Sequence, residues 1–317
     1  MTDSAGHGEA PVDCLVVGAG PAGLTAAVYL SRFRRSVMLI DAGEPRAALI
    51  PRSHNCPGYP DGVTGPELLE RMRAHAGRCG VSAIPGSVVG LVAADGDGDV
   101  FVADWRAADD PARTRSCRAR TVLLATGVVD VEPRLVRIER AIREGYIRHC
   151  PICDGFEVIG EKIGVIGFGA GALTEALFLR TYSDDVTLLT LGEPMDLTEE
   201  DRRRLGDAGV AVIEEPIVEL DVGDGRIKCL HTASGEHRFD TLYSALGAKV
   251  RSELALALGA AHDEAGALTV DEHQRTSVPG LWAAGDVSSS LNQIAVAMGQ
   301  AAIAATAIHR ALPPAYL

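Results

Sequence analysis

The stretch Gly18-Ala-Gly20-Pro-Ala-Gly23 decides the fold. It follows a strand-like apolar run at 13–17 and opens a segment whose apolar residues recur at helical spacing. Three glycines at this spacing permit a tight turn, close approach of a pyrophosphate to the backbone, and tight packing of helix on strand. A second strand ends at Asp41, 23 residues after Gly18, where a carboxylate can accept hydrogen bonds from a ribose. The stretch therefore predicts a β–α–β unit that binds a dinucleotide.

A second unit of the same kind begins with a predicted strand at 163–166. Its turn, Gly167-Phe-Gly169-Ala-Gly-Ala172, lies 149 residues after the first, and a predicted helix and strand follow it. Counting the same 23 residues from Gly167 leads to Thr190, which is not acidic, and the next basic residue is Arg202. The repeat predicts an α/β protein with two Rossmann-like domains of the three-layer ββα type. Whether the second domain binds a nucleotide or has kept only the fold stays open.

Composition excludes several classes of protein. The 317 residues are 47% hydrophobic and 23% charged, without low-complexity tracts, as in globular proteins. A net charge of −13 argues against nucleic acid and anionic membranes as partners. The N-terminus does not resemble a signal peptide, and the longest apolar stretch, near 295–308, is too short to span a bilayer. We expect a cytoplasmic protein.

The segment Cys150-Pro-Ile-Cys153-Asp154-Gly155 is the clearest chemical signal outside the glycine turns. Two cysteines at this spacing can close a small disulfide and exchange electrons as a dithiol. Asp154, or less simply His149, could protonate a leaving thiolate if burial raises its pKa. Half of a metal site is the alternative, but two further ligands at similar spacing are missing, so no metal is predicted.

A fourth segment, Trp282-Ala-Ala-Gly285-Asp286-Val287, precedes the long apolar helix predicted from Gln293 to Leu312. An aspartate after a glycine at a strand end can hold a ribityl hydroxyl, and a helix N-terminus can stabilise negative charge on a reduced flavin. On its own this segment is a loop and a helix cap.

Together these motifs resemble the low-molecular-weight, bacterial-type thioredoxin reductase family over nearly the whole chain, from Asp13 to about Arg310. The similar segments are GAGPAGLTAAVYL, His54-Asn55-Cys56-Pro57-Gly58 with TGPELLERM, LLATG, CPICDG, GFGAGALTEALFL and AAGDV. The resemblance implies an FAD domain split by an inserted nucleotide domain, a homodimer, and rotation between the domains. The expected boundaries are 1–129 and 247–317 for the FAD domain and 130–246 for the inserted domain, which carries the C-x-x-C.

The resemblance also implies roles for individual residues. Cys153 would face the flavin, Cys150 would attack the disulfide of a partner, and Asp154 would be the acid. The expected FAD contacts are Gly18, Gly20, Pro21, Ala22, Gly23, Asp41, Asn55, Thr126, Gly127, Gly285, Asp286 and Gln293.

Four departures from the family pattern set this chain apart. Where the family has a basic H-R-R run, this chain has Thr190-Leu191-Gly192, and where the family has a serine in the second turn, it has Gly171. The family's Arg-Gln pair is replaced by Asn292-Gln293, and its aromatic residue before Pro-Gly is replaced by Cys56. The first two remove the expected contacts to NADPH, so neither NADPH nor NADH is predicted to be an efficient donor. This places the chain closer to atypical members: ferredoxin-linked reductases, flavin disulfide reductases with other donors, and dithiol oxidases that use oxygen.

The leading hypothesis is an FAD-dependent thiol–disulfide oxidoreductase that acts on a thioredoxin-like protein or a small dithiol or disulfide. Ferredoxin or another protein is an alternative electron donor. Two alternative functions stay open: a dithiol oxidase with O2 as acceptor, and a flavin redox sensor without turnover.

The chain ends in Pro313-Pro314-Ala315-Tyr316-Leu317, and the two prolines cannot continue the helix. Two interpretations of Tyr316 stay open. It lies in a frayed, solvated terminus, or it stacks on an isoalloxazine ring in the space that a nicotinamide would otherwise take.

Overall fold

A computed structural model describes residues 10–94, 100–133, 144–195, 197–217, 219–223, 226–288 and 291–314. Its contacts divide the chain into two compact units. The first comprises Met1–Ala48, Thr64–Val129 and Lys249–Leu317, and the second comprises Leu49–Val63 and Asp130–Ala248. The contacts thus group 49–63 with the second unit, whereas the sequence analysis kept this segment in the first. The assignment of FAD and nucleotide domains to particular boundaries stays a prediction.

The strands, in chain order, are β1 (Val12–Val17), β2 (Val37–Asp41), β3 (Ala83–Ala93), β4 (Phe101–Ala107), β5 (Asp110–Leu124), β6 (Val128–Asp130), β7 (Ile147–Arg148), β8 (Ile163–Ile166), β9 (Val186–Leu189), β10 (Ala211–Ile213), β11 (Glu219–Gly223), β12 (Arg226–Thr232), β13 (Gly235–His237), β14 (Thr241–Ser244), β15 (Ala248–Val250) and β16 (Leu281–Ala283). The α-helices are α1 (Pro21–Arg32), α2 (Gly65–Arg78), α3 (Pro151–Asp154), α4 (Gly169–Leu179), α5 (Glu199–Asp207), α6 (Glu253–Leu256) and α7 (Ile294–Ala311). Short 3-10 turns span Arg46–Leu49 and Gly155–Val158.

The first unit is built on a mixed sheet. Strand β1 lies at its centre and pairs in parallel with β2 on one side and with the last part of β5 on the other, while β3 and β16 extend this parallel core. The remaining parts of β3 and β5 form an antiparallel meander with β4. All of β1 from Cys14 to Val17 is buried, as expected for a parallel strand covered on both faces.

Two helices of the first unit illustrate how local sequence produces the fold. In α2, Thr64 caps the N-terminus by accepting a hydrogen bond from the Glu67 backbone N–H, and one apolar face is buried through Leu68, Leu69 and Ala76. By length and hydropathy alone α7 could cross a membrane. In the fold, one face of α7 is buried through its alanines and Ile308.

The second unit contains a five-stranded parallel sheet in the order β10-β9-β8-β14-β7 and a separate antiparallel sheet, β11-β12-β13. The predicted β–α–β repeat is confirmed as β8, α4 and β9. Its core is aliphatic, from Ile163 and Val165 on β8 to Leu173 and Ala176 on α4. Both units therefore have the α/β fold with parallel sheets that the sequence predicted.

Candidate active site: a glycine turn and a redox pair

The first glycine turn has no room for a side chain at its first and third glycines but has free space at its second. Gly18 has φ +100°, and a Cβ there would lie 2.4 Å from the Ala125 carbonyl oxygen. A Cβ at Gly23 would lie 1.8 Å from the Gly18 carbonyl oxygen. A Cβ at Gly20, by contrast, would meet no atom within 4 Å. The first and third glycines are therefore required by packing of the chain itself, while the second faces space that a ligand can occupy.

Asp41 lies beside this turn, at the end of β2. Its Oδ1 accepts a hydrogen bond of 2.8 Å from the Ala19 backbone N–H. The first turn of α1 contains no acidic residue, so no side chain of the helix itself competes with an anion for the amides at its N-terminus. The spacing argument for Asp41 therefore placed the carboxylate at the turn, as the geometry now shows.

A second segment of the first unit meets the same turn. Gly285, with φ +81°, approaches so closely that a Cβ there would lie 3.1 Å from the Ala22 Cβ. Its backbone N–H donates to Gln300 Oε1 at 2.8 Å. Next to it, Asp286 pairs with Arg46, with Nη1 and Oδ2 3.5 Å apart. Sequence analysis found Gly285 and Asp286 but missed Arg46 and Gln300, which no local motif marks.

Thr126 and Gly127 join two segments of the first unit through hydrogen bonds, a role that no sequence motif indicates. The Thr126 hydroxyl donates to the Arg251 carbonyl oxygen at 2.5 Å, and the Arg251 N–H donates to the Gly127 carbonyl oxygen at 3.0 Å. These bonds join the end of one chain segment of the first unit to the start of another. Gln293 is the residue that precedes α7 as its N-cap. Contacts of these residues with a cofactor stay predictions.

The first unit fits a dinucleotide cofactor. The open position at Gly20, the helix N-terminus behind it and the Asp41 carboxylate supply space, dipole and ribose contact in the usual arrangement. Tyr316, proposed from the sequence as a flavin contact, lies outside the described residues.

In the second unit, Cys150 and Cys153 form a disulfide, which confirms the predicted pair. Cys150 is the N-cap of the one-turn helix α3, and the Cys153 backbone N–H donates to Cys150 Sγ at 3.2 Å. Pro151 occupies the first helical position, where its missing N–H costs nothing. The local sequence C-P-I-C thus holds both sulfurs within one turn.

Asp154 follows the pair and is held by two neighbours. Arg148 Nη1 donates to its Oδ2 at 2.9 Å, and the Tyr243 hydroxyl donates to its Oδ1 at 2.8 Å. Burial raises the pKa of Asp154, and the Arg148 guanidinium offsets this effect only in part. Burial and the adjacent carboxylate raise the pKa of Tyr243 as well, so its hydroxyl stays protonated. A carboxyl group with a raised pKa beside a disulfide is suited to proton transfer.

Asn55 lies beside the redox pair within the second unit. Its Nδ2 donates to the Ile152 carbonyl oxygen at 3.2 Å, and its Oδ1 accepts from the Ser53 hydroxyl at 2.8 Å. The sequence analysis had named Asn55 as an FAD contact, and that role stays a prediction. The neighbouring Cys56 is half-buried, and burial raises the pKa of its thiol.

The second glycine turn has the frame of the first but different surroundings. Gly167 is required by packing, because a Cβ there would lie 2.8 Å from the Ala245 carbonyl oxygen. Thr190, at the position equivalent to Asp41, is fully buried, and its Oγ1 has no hydrogen-bond partner among the described residues. Arg202 uses its Nη2 to donate to the Met195 carbonyl oxygen at 3.3 Å. Thr190 itself thus offers neither the carboxylate nor the guanidinium of the usual ribose or phosphate contacts.

One group of metal-ligating side chains occurs among the described residues: Cys229, His231 and Glu236, whose ligand atoms lie within 4.8 Å of one another. The Cys229 thiol donates to the Leu230 carbonyl oxygen at 3.6 Å, and burial together with Glu236 raises the pKa of this thiol. Both effects favour the protonated sulfur over the thiolate that a metal needs.

Comparison with known proteins adds the family. The model of the pyridine nucleotide-disulphide oxidoreductase family matches residues 12–301. The chain belongs to this family. The thioredoxin reductase of Listeria monocytogenes serovar 1/2a (strain EGD-e) is 31% identical over 304 residues, which cover 92% of this chain and 91% of that protein.

Solved structures agree. The crystal structure of HlmI is 32% identical, covers 98% of this chain and 93% of that chain, and superposes with a TM-score of 0.84. Thioredoxin reductase from Streptococcus pyogenes MGAS5005 is 28% identical, with coverage of 95% and 98% and a TM-score of 0.85. The protein is therefore a flavin disulfide oxidoreductase of the low-molecular-weight thioredoxin reductase type.

Proposed function

We propose that this flavoenzyme passes electrons between FAD and a partner disulfide through Cys150 and Cys153, with Asp154 as the proton carrier. The partner is a thioredoxin-like protein or a small dithiol or disulfide, and NADPH is not an efficient donor. The observation that carries the proposal is the Cys150–Cys153 disulfide, followed directly in the chain by a half-buried carboxyl group whose pKa is raised. FAD, held by the turn at Gly20 and by Asp41 and Asp286, supplies or accepts the two electrons when bound.

The exchange with the partner balances as two successive displacements. In the reduced pair, the Cys150 thiolate attacks the partner disulfide, so that a mixed disulfide forms and one partner thiolate leaves. The Cys153 thiolate then attacks Cys150, which reforms the Cys150–Cys153 disulfide and releases the second partner thiolate. Asp154 gives a proton to a leaving thiolate and recovers it when the pair is reduced again. In the reverse direction the same steps oxidise a dithiol.

The surface around the pair supports an apolar partner. Three apolar residues within or just after the redox motif are exposed: Ile152 by 49%, Phe156 by 73% and Ile159 by 58%. Three exposed apolar side chains within eight residues exceed the scattered single ones normal for a monomer surface. They suit either the apolar rim of a thioredoxin-like protein or an apolar dithiol.

A second candidate is a dithiol oxidase that uses O2. It is favoured by Thr190, a buried neutral residue where a pyridine-nucleotide domain usually carries an acidic or basic contact, and by Arg202, whose Nη2 is engaged with the Met195 carbonyl oxygen. In this case the Cys150–Cys153 disulfide oxidises the dithiol to a disulfide, and bound FAD would supply the route by which the two electrons reach O2, which would be reduced to hydrogen peroxide.

Trapping experiments test the proposal. Cys153→Ser should accumulate a mixed disulfide between Cys150 and a thioredoxin-like probe, while Cys150→Ser should not. Cys56→Ser is the matched control, because it removes a half-buried thiol of the same unit and should leave trapping unchanged. Trapping by Cys150→Ser alone would reverse the roles of the two cysteines, and no trapping by either would contradict the proposal.

Flavin absorbance on addition of a dithiol separates the remaining alternatives. Rapid bleaching without oxygen, followed by peroxide release in air, identifies the oxidase. Bleaching by dithionite-reduced ferredoxin, followed by reduction of the partner, identifies the reductase. A flavin that no donor reduces within a catalytic time identifies a sensor without turnover.

A further inference from the structure

The carboxyl group of Asp154 is held more firmly than its place in a four-residue helix requires. Each of its oxygens accepts a hydrogen bond from a different strand: Oδ2 from Arg148 on β7, and Oδ1 from Tyr243 on β14. These two strands are parallel neighbours, and their register pairs Tyr243 directly with Arg148. The sheet therefore places a guanidinium and a phenol side by side beneath the redox loop.

We propose that Tyr243 and Arg148 are positioning residues that orient the Asp154 carboxyl group and set its affinity for the proton exchanged with Cys150 and Cys153. The inference rests on the proposed function, because Asp154 is the proton carrier only if the pair turns over. It goes beyond that function because neither residue is marked by a motif in the sequence.

The two residues contribute different things. Tyr243 is fully buried, and its hydroxyl stays protonated, so it donates to Oδ1 across the working pH range. Arg148 contributes a positive charge that favours the ionised carboxylate and opposes the effect of burial. Burial favours the protonated carboxyl group, which holds its proton against release, while the guanidinium favours the carboxylate, which has no proton to give.

Two glutamates also act on this cluster. Glu157 follows on the 3-10 turn and raises the pKa of Asp154, and Glu161 acts on Arg148 from the next loop. Glu161 is itself engaged, because its Oε2 accepts a hydrogen bond from the Thr241 hydroxyl. The cluster that governs the proton thus consists of Asp154, Arg148 and Tyr243, with the two glutamates at its border.

The first test is an infrared titration of the Asp154 carboxyl group, taken as the difference between each protein and its Asp154→Asn counterpart. Tyr243→Phe removes one donor to the carboxylate and should raise the pKa by about one unit. Arg148→Met removes the charge and should raise it by about 1–3 units, and Arg148→Lys should recover most of this shift. Tyr182→Phe is the matched control, because its ring lies over Gly155, next to Asp154, and the titration should not move.

The second test measures the rate at which a small dithiol cleaves the Cys150–Cys153 disulfide as a function of pH. The part of the pH–rate profile that depends on Asp154 should shift in Tyr243→Phe and Arg148→Met by as much as the infrared titration does. It should vanish in Asp154→Asn. Melting temperatures identify variants that fail to fold. If Arg148→Met does not fold, the test rests on Tyr243→Phe, which keeps the aromatic ring.

The outcomes separate this inference from the proposed function. A shifted infrared titration in an enzyme that reacts with no dithiol supports the positioning role and overturns only the function. An unshifted titration in a folded Tyr243→Phe and a folded Arg148→Met overturns the positioning role, even if Asp154→Asn abolishes the exchange.

Discussion

The two units of this protein have similar glycine turns but place their acidic residues differently. In the first unit the acid, Asp41, accepts a hydrogen bond from the turn itself at Ala19. In the second unit the equivalent position is the buried Thr190, and Asp154 follows the Cys150–Cys153 disulfide in the chain instead. We propose that the first unit holds a nucleotide and that the second serves thiol chemistry. The comparison teaches that a shared frame does not imply a shared ligand.

The largest effect that tests this comparison is expected from a side chain added at Gly20 in the first turn. Gly20→Val should fold, because Gly20 has an extended backbone conformation that valine adopts and a Cβ there meets no protein atom. The added side chain would occupy the pyrophosphate path, so we expect loss of the bound FAD. The measurement is flavin absorbance per protein after desalting.

A matched variant exists in the second turn. A Cβ at Gly171 also meets no protein atom within 4 Å, so Gly171→Val tests whether any added bulk at a glycine turn empties the flavin site. Full FAD occupancy in Gly171→Val with none in Gly20→Val assigns FAD to the first unit. Full occupancy in both would show that the flavin is held elsewhere.

The next largest effect concerns pyridine nucleotides. With neither a carboxylate nor a guanidinium in place at Thr190, the enzyme should bind NADPH about a hundredfold or more weaker than a site with two charge-assisted phosphate contacts at roughly 1.5–3 kcal/mol each. It should also show no preference for NADPH over NADH, because Thr190 offers the 2′-phosphate no positive charge. Stopped-flow reduction of the flavin by both nucleotides, over a range of concentrations, checks this. Fast reduction by micromolar NADPH with a strong preference over NADH would contradict the prediction.

A gain-of-binding variant sharpens the same point. Glu193 is exposed in the loop after β9, three residues beyond Thr190, and Glu193→Arg replaces a repelling charge with an attracting one. We expect NADPH affinity to rise about tenfold at low salt while NADH affinity is unchanged, because only NADPH carries the 2′-phosphate. Calorimetric titration with each nucleotide measures both. An equal gain for the two nucleotides would mean that Glu193 lies near a phosphate they share.

The comparison also shows what the sequence could predict. The first turn, Asp41 and the Cys150–Cys153 pair depend on residues close in the chain or at a fixed spacing along a β–α–β unit, so pattern and chemistry suffice. Tyr243 could not be predicted in this way. It lies 89 residues after Asp154, and only the pairing of β7 with β14 brings the two together.

Two further contacts follow the same rule. Arg46 and Asp286 are 240 residues apart in the chain and meet because the end of the chain returns to the first sheet. Asn55 belongs by motif with the first unit, yet its amide bonds to Ile152 in the second. Contacts of this kind depend on tertiary packing, for which a single sequence gives no local pattern.

The smallest expected effect is the change in stability with pH that the raised pKa of Asp154 produces. Because burial raises the pKa of Asp154 in the folded protein above its usual value near 3.9, the folded state binds this proton more tightly than the unfolded state. Its contribution to stability is therefore fully present below about pH 4 and is lost as pH rises through the folded pKa. Asp154→Asn lacks this titration, so the free energy of unfolding of the wild type should fall relative to the variant as pH rises from about 4 to 7. Each unit by which the pKa is raised corresponds to about 1.4 kcal/mol. Urea unfolding of both proteins at several pH values measures the difference. A difference that grows in the opposite direction would show that the Arg148 ion pair outweighs burial, so that Asp154 is held as a permanent carboxylate and not as a proton carrier.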